Sequence, residues 1–139
     1  MSDAVDLVSN TVRRRLLRDG AGSLSEAEWH LLRVSHMLNA AERGTLDRLL
    51  ADTPLAELVD VADGLDAIGS PNAGQRLRTA TEKLAVANDP GSGLIRDDTV
   101  AFSANLLGEQ LAAMRADIER QLLDFAVRHR ERGAGVAAR

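Results

Sequence analysis

Cysteine is absent from the 139 residues, which excludes disulfides, thiolate metal sites and cysteine nucleophiles. Aromatic residues are scarce: Trp29, Phe102 and Phe125 are all the chain has, and there is no tyrosine. A core without large rings must be aliphatic, and leucine with alanine supplies most of it. Few rings also argue against binding nucleic acid by base stacking. Lysine is nearly missing, with Lys83 alone against 16 arginines, a bias of coding more than of physics. No stretch approaches about 18 consecutive apolar residues, so no membrane span is expected. Residues Met1 to Val8 carry Asp3 and Asp6 and no long apolar run, so they do not read as a signal peptide. The expected location is the cytoplasm.

What remains is the profile of a soluble globular domain. Hydrophobic residues make up 45% and charged residues 27%. The length fits one domain with a real core. A net charge of -4 and a pI near 5.3 disfavour a general DNA or RNA binder.

Apolar residues recur at helical spacing along the chain. Val5, Val8, Val12 and Leu16 share one face of a first helix, with Ser2 or Asp3 to cap it and Gly20 to end it. Arg13, Arg14, Arg15 and Arg18 crowd its last turns, where cations suit the negative end of the helix dipole. The competing reading of these arginines is a phosphate-binding patch. Ser25-Glu26-Ala27-Glu28 fits a capping box, with Leu24 and Trp29 as a hydrophobic staple. Leu31, Val34, Leu38 and Ala41 continue that helix to a stop at Gly44, and Leu46, Leu49 and Leu50 add a short one.

Thr53-Pro54 and Ser70-Pro71 each read as a cap followed by proline at the first helical position. Leu55, Leu58, Val59, Ala62, Leu65 and Ile68 form the apolar face after the first of these starts, and Ala73, Leu77, Ala80, Leu84 and Ala87 after the second. Asn88 to Gly93 is a loop. Leu107, Leu111, Met114, Ile118, Leu122 and Phe125 mark a last helix from near Asp98 or Thr99 to about Glu131, roughly 50 Å long at ~1.5 Å per residue. Gly108 within it points to close packing or a kink. The expected fold is all-α: a single-domain bundle of about five main helices plus one short helix, over residues 1–132, with a flexible tail at 133–139. The expected core includes Trp29, Leu38, Leu58, Leu65, Leu77, Leu84, Leu111, Met114, Ile118 and Leu122.

Catalytic signatures are missing. His30 and His36 lie six residues apart, about 240° round a helix at 3.6 residues per turn, and cannot share a metal from one face. Glu26 and His30 can face each other, but two ligands do not make a site. Gly91-Ser92-Gly93 has no preceding strand and so is no nucleophile elbow. There is no P-loop and no dinucleotide fingerprint. No catalytic residue, cofactor or metal is therefore assigned.

One acidic stretch stands out. Between Glu42 and Asp66 lie Glu42, Asp47, Asp52, Glu57, Asp60, Asp63 and Asp66, seven acids against Arg43 and Arg48, or -5. Glu57, Asp60, Asp63 and Asp66 step by three residues and sweep about half the circumference of their helix, with Asp66 nearest the apolar stripe. Such a face either keeps the protein soluble or meets a basic partner. The four acids lie ~4.5 Å apart along the axis, sparser than the phosphates of one DNA strand at ~3.4 Å. Neighbouring segments, or a second subunit in a homodimer, would have to add charge.

The run Gly64-Leu65-Asp66-Ala67-Ile68-Gly69-Ser70-Pro71, followed by Leu77, resembles a helix end of the DNA-mimic protein family of small all-helical bacterial domains. The close of the last helix, with Leu122, Leu123, Phe125, Ala126 and His129, is also similar, and the likeness covers roughly residues 24–131. Over Asn39 to Leu50 the chain keeps that family's Gly44 and apolar positions, without its paired asparagines, aromatics or glutamine. The resemblance implies a helical fold and, in some members, an acidic surface that occupies a DNA-binding protein. The leading expectation is a non-enzymatic domain whose acidic face binds a basic protein such as a DNA-binding regulator. The alternatives are a helical interaction or immunity-type protein using an apolar surface, and, last, a small enzyme.

Overall fold

A computed structural model describes residues 3–20, 22 and 24–137, with side chains over 10–14, 16–20, 22 and 24–129. It is 85% helical, and the described residues contain no strand. Six helices follow in order: α1 (Asp3–Asp19), α2 (Glu26–Arg43), α3 (Leu46–Asp52), α4 (Leu55–Ile68), α5 (Pro71–Ala87) and α6 (Arg96–Ala137). The all-α bundle with a short third helix and a long last one is thus the observed fold. The capping side chains expected of Ser2 and Asp3, and those of Val5 and Val8, lie outside the described residues.

Local chemistry sets most helix ends. The Ser25 hydroxyl accepts from the Glu28 N–H at 3.2 Å, and the Glu28 carboxylate accepts from the Ser25 N–H at 3.1 Å. That reciprocal box satisfies two donors that open a helix. At the other end of α2, Gly44 turns left-handed at φ 72° and Thr45 N–H reaches back to the Ala40 carbonyl. Gly69 does the same for α4 at φ 99°, with Ser70 N–H donating to the Leu65 carbonyl at 2.8 Å.

Three starts differ from the sequence expectation. Thr53 closes α3 and Pro54 takes the cap position of α4, so the proline stands one place earlier than expected. Ser70 caps α5 by position only: its hydroxyl is buried and makes no cap hydrogen bond, because its backbone is already committed to closing α4. Helix α6 begins two residues before Asp98 and runs on past Glu131, giving 42 residues and about 63 Å at ~1.5 Å per residue. Asp97 and Asp98 in its first turn suit the positive end of the dipole.

The core is aliphatic. Val34, Ala62, Leu65 and Ile68 are fully enclosed, and Leu38, Leu58, Leu77, Leu84, Leu111, Ile118 and Leu122 nearly so. Trp29 and Met114 depart from expectation: both are only half-buried. Trp29 sits about half a turn away from the buried face of α2, and Met114 lies at the edge of the core cluster. None of the three rings is fully buried.

Helix α4 is held closely on two sides. A Cβ added at Gly64 would lie 3.1 Å from His30 Nδ1 and 3.4 Å from Val34 Cγ2 of α2. One added at Gly74 of α5 would lie 2.9 Å from the Ala62 carbonyl oxygen and 2.5 Å from Asp66 Oδ1. Gly108 of α6 differs from expectation, since an added Cβ would meet only Leu46 Cδ2 at 4.0 Å. The two helical glycines therefore separate cleanly. Gly74→Ala should lose ~1–3 kcal/mol, because the Ala62 carbonyl cannot step aside. Gly108→Ala should gain ~0.4–1 kcal/mol from helix propensity. Chemical denaturation of the two variants measures both.

Candidate functional site

All seven acids from Glu42 to Asp66 are solvent-exposed, and α4 buries Leu58, Ala62 and Leu65 on its other side. They do not form one even face. Glu42 closes α2, Asp47 and Asp52 lie on α3, and the remaining four are on α4. On α4 they spread from the α5 side to the side facing α2 and α3. Glu57 and Asp52 line a cleft there, next to Arg48 and Arg43. Asp63 and Asp66 turn the other way and share Arg78 of α5: its guanidinium donates to Asp63 Oδ1 at 2.8 Å and to Asp66 Oδ2 at 2.5 Å. Hydrogen bonds donated to Asp66, then to Asp63, hold the arginine further above its already high ordinary pKa.

Arg78 changes the electrostatics of the expected face. Its side chain is 28% exposed, so the pair is screened by solvent and of modest strength. It nevertheless places a cation between two of the four α4 acids. Asp47, Asp52, Glu57 and Asp60 keep no ion pair among the described residues.

A second surface was not foreseen. Between the second half of α5 and the start of α6 lies an open groove of 720 Å³. Val86, Leu94, Ile95 and Phe102 line it, and they are 53%, 51%, 65% and 60% exposed. Most large apolar side chains of this chain are in the core, so four exposed ones in one groove form a patch of the kind that marks interaction sites. Glu82 and Asp98 add acid to its lining. The one cation there, Lys83, lies over the Phe102 ring at 5.4 Å from its centroid.

The loop beneath the groove is built by short polar contacts. Asp89 Oδ1 accepts from Gly91 N–H at 3.0 Å, and Ser92 Oγ accepts from Leu94 N–H at 3.2 Å. Arg96 donates to Asn88 Oδ1 and to the Ala51 carbonyl, pinning the loop to the end of α3. Leu94 and Ile95 are thus presented outward from a braced turn. The sequence carried a signal for this: Phe102 falls about 140° from Leu107 on a helical wheel, off the buried stripe of α6.

Among the described residues no three His, Cys, Asp or Glu side chains come together as metal ligands. His30 Nε2 lies 3.7 Å from Glu26 Oε1, the pairing expected at that spacing, and its Nδ1 is buried against α4. His129 Nε2 lies 3.3 Å from the Ser25 hydroxyl and ties α6 to the start of α2. No helix among the described residues is long and apolar enough to cross a membrane.

Compared with known proteins, the chain matches no family model, no curated protein and no solved structure. Its functional reading therefore rests on the surfaces described here.

Arg78→Gln tests the clamp between α4 and α5. The variant should fold, melt slightly below the parent at low ionic strength, and converge with it as salt is added. Thermal melts across a sodium chloride series read this out.

Proposed function

We propose that the chain is a non-enzymatic, cytoplasmic protein-binding domain, and that the α5–α6 groove is its main binding surface. One observation carries this reading: Val86, Leu94, Ile95 and Phe102 are exposed together along a single groove. A folded domain gains nothing in stability from leaving them in water. The groove runs between two helices, a shape that takes a third helix by its apolar face. Glu82 and Asp98 in the lining, Asp97 beside them and an overall charge of -4 favour a partner helix bearing basic residues around its apolar stripe.

A synthetic amphipathic helix with leucines at i, i+3, i+4 and i+7 and arginines elsewhere is the direct probe. It should bind the parent saturably, and Phe102→Ala should weaken it at least about tenfold, equivalent to ~1.4 kcal/mol. The same peptide with glutamates in place of arginines should bind less well. Equal binding to parent and Phe102→Ala, by fluorescence anisotropy, would remove the groove from consideration.

A second reading is favoured by the unpaired acids Asp47, Asp52, Glu57 and Asp60, with Glu42, Asp63 and Asp66 around them. Here the acidic surface engages a basic partner in the manner of DNA-mimic proteins and displaces duplex DNA from it. Neutralising Glu57, Asp60, Asp63 and Asp66 to Gln or Asn should leave stability within about ±0.5 kcal/mol per site. It should abolish competition with duplex DNA for a basic DNA-binding domain at low salt. Competition that survives the fourfold change excludes this reading and leaves the first untouched.

A further inference from the structure

The chain is acidic overall, yet one of its clefts is rich in arginine. It measures 1020 Å³ and lies among α1, α2 and α3. Arg13 reaches it from α1, Arg33, His36 and Arg43 from α2, and Arg48 from α3. Among the described lining residues, Asp52 and Glu57 are the acids that oppose these four guanidinium groups.

The arrangement follows from the sequence of α2. Trp29, Arg33, His36 and Arg43 recur at spacings of 4, 3 and 7, which keeps them within about 80° on a helix of 3.6 residues per turn. That stripe lies opposite the buried face carrying Leu31, Val34 and Leu38. Arg33 to Arg43 spans about 15 Å along the axis, at ~1.5 Å per residue. Helices α1 and α3 flank the stripe; Trp29 and Arg33 are half-exposed, and Arg13, His36, Arg43 and Arg48 are exposed.

These arginines are also unspent. Arg78 and Arg120 are paired with carboxylates of the chain, and Arg96 with backbone and amide oxygens. Among the described residues the side chains of Arg13, Arg43 and Arg48 make no ion pair or hydrogen bond, although Asp52 and Glu57 line the same cleft and Glu42 interacts electrostatically with Arg43. Arg33 has one partner, the Trp29 ring, with its guanidinium 5.2 Å from the centroid. Like charges held along one cleft repel one another, and an anion bound among them relieves that repulsion.

We propose that this cleft binds a phosphate chain, free or carried by a nucleotide. Guanidinium forks match phosphate oxygens in pairs, and four of them along one cleft suit several linked phosphates better than one carboxylate. Asp52 and Glu57 accept hydrogen bonds only and would repel a purely anionic neighbour, so the phosphates lie toward the arginines. A sugar hydroxyl or a base amino group suits the acidic part of the lining. The site is separate from the α5–α6 groove, and it shares Asp52 and Glu57 with the acidic surface.

Trp29 is the only tryptophan and there is no tyrosine, so its fluorescence reports on this cleft alone. The full chain is titrated with inorganic tripolyphosphate and with ATP, at low and high ionic strength, with calorimetry in parallel. Saturable binding that weakens with salt is expected. The double variant Arg43→Gln with Arg48→Gln should bind at least tenfold more weakly, while Arg120→Gln, at a paired arginine outside the cleft, should bind like the parent. Tighter binding of ATP than of tripolyphosphate assigns the site to nucleotides, and equal binding assigns it to the phosphate chain itself. Absence of saturable binding by both methods overturns the proposal, as does a double variant that binds like the parent. Polyglutamate binding as tightly as tripolyphosphate also overturns it, and makes the cleft a docking face for acidic protein. Circular dichroism melts show that each variant is folded.

Discussion

The structure depends on how closely α4 can be approached. This helix has Ala62, Leu65 and Ile68 wholly enclosed, and it reaches that state because glycine stands at two contact points. Gly64 lets α2 press against it at His30 and Val34, and Gly74 lets α5 come within reach of the Ala62 carbonyl. Side chains at either point would hold the helices apart and open voids that leucines cannot fill. Between α4 and α5 only Gly69 and Ser70 intervene, and both take part in closing one helix as the other opens. The surfaces proposed for binding lie outside this assembly: the acids on the far side of α4, the apolar groove beyond α5, the arginine cleft beyond α2.

Much of the fold was legible because it is written in local chemistry. The Ser25 and Glu28 box, the glycines at 44 and 69 and the leucine spacing of α6 need no knowledge of distant residues. The misses share a different cause. Trp29 is expected in the core as the staple partner of Leu24, but only the placement of α1 and α3 decides that its side of α2 lines a cleft. Gly108 reads as close packing or a kink; the packing alternative fails, because a helical glycine by itself does not reveal whether a neighbour stands opposite. Ser70 carries the sequence mark of a cap, yet its backbone serves the preceding helix.

The surfaces were less legible than the core for the same reason. The acidic residues were correctly expected to be exposed, since a three-residue step opposite a leucine stripe leaves them nowhere else to go. Their division was not visible, because the pairing of Asp63 and Asp66 with Arg78 depends on the register between α4 and α5. Likewise the α2 arginines read singly as surface charge. They become a set only when Arg13 and Arg48 arrive from other helices. A net charge of -4 concealed this, since total charge says nothing about segregation.

Helix α6 packs against all five of the others, and it follows them in the chain. On the ribosome the chain emerges from its N-terminus, so α1 to α5 are complete before their common brace exists. During that interval the apolar sides of α3 and α5 that α6 will cover stay open to solvent. The domain is therefore committed to a late closing step, in which one long helix docks along its length and converts a set of local pairs into a single cooperative body.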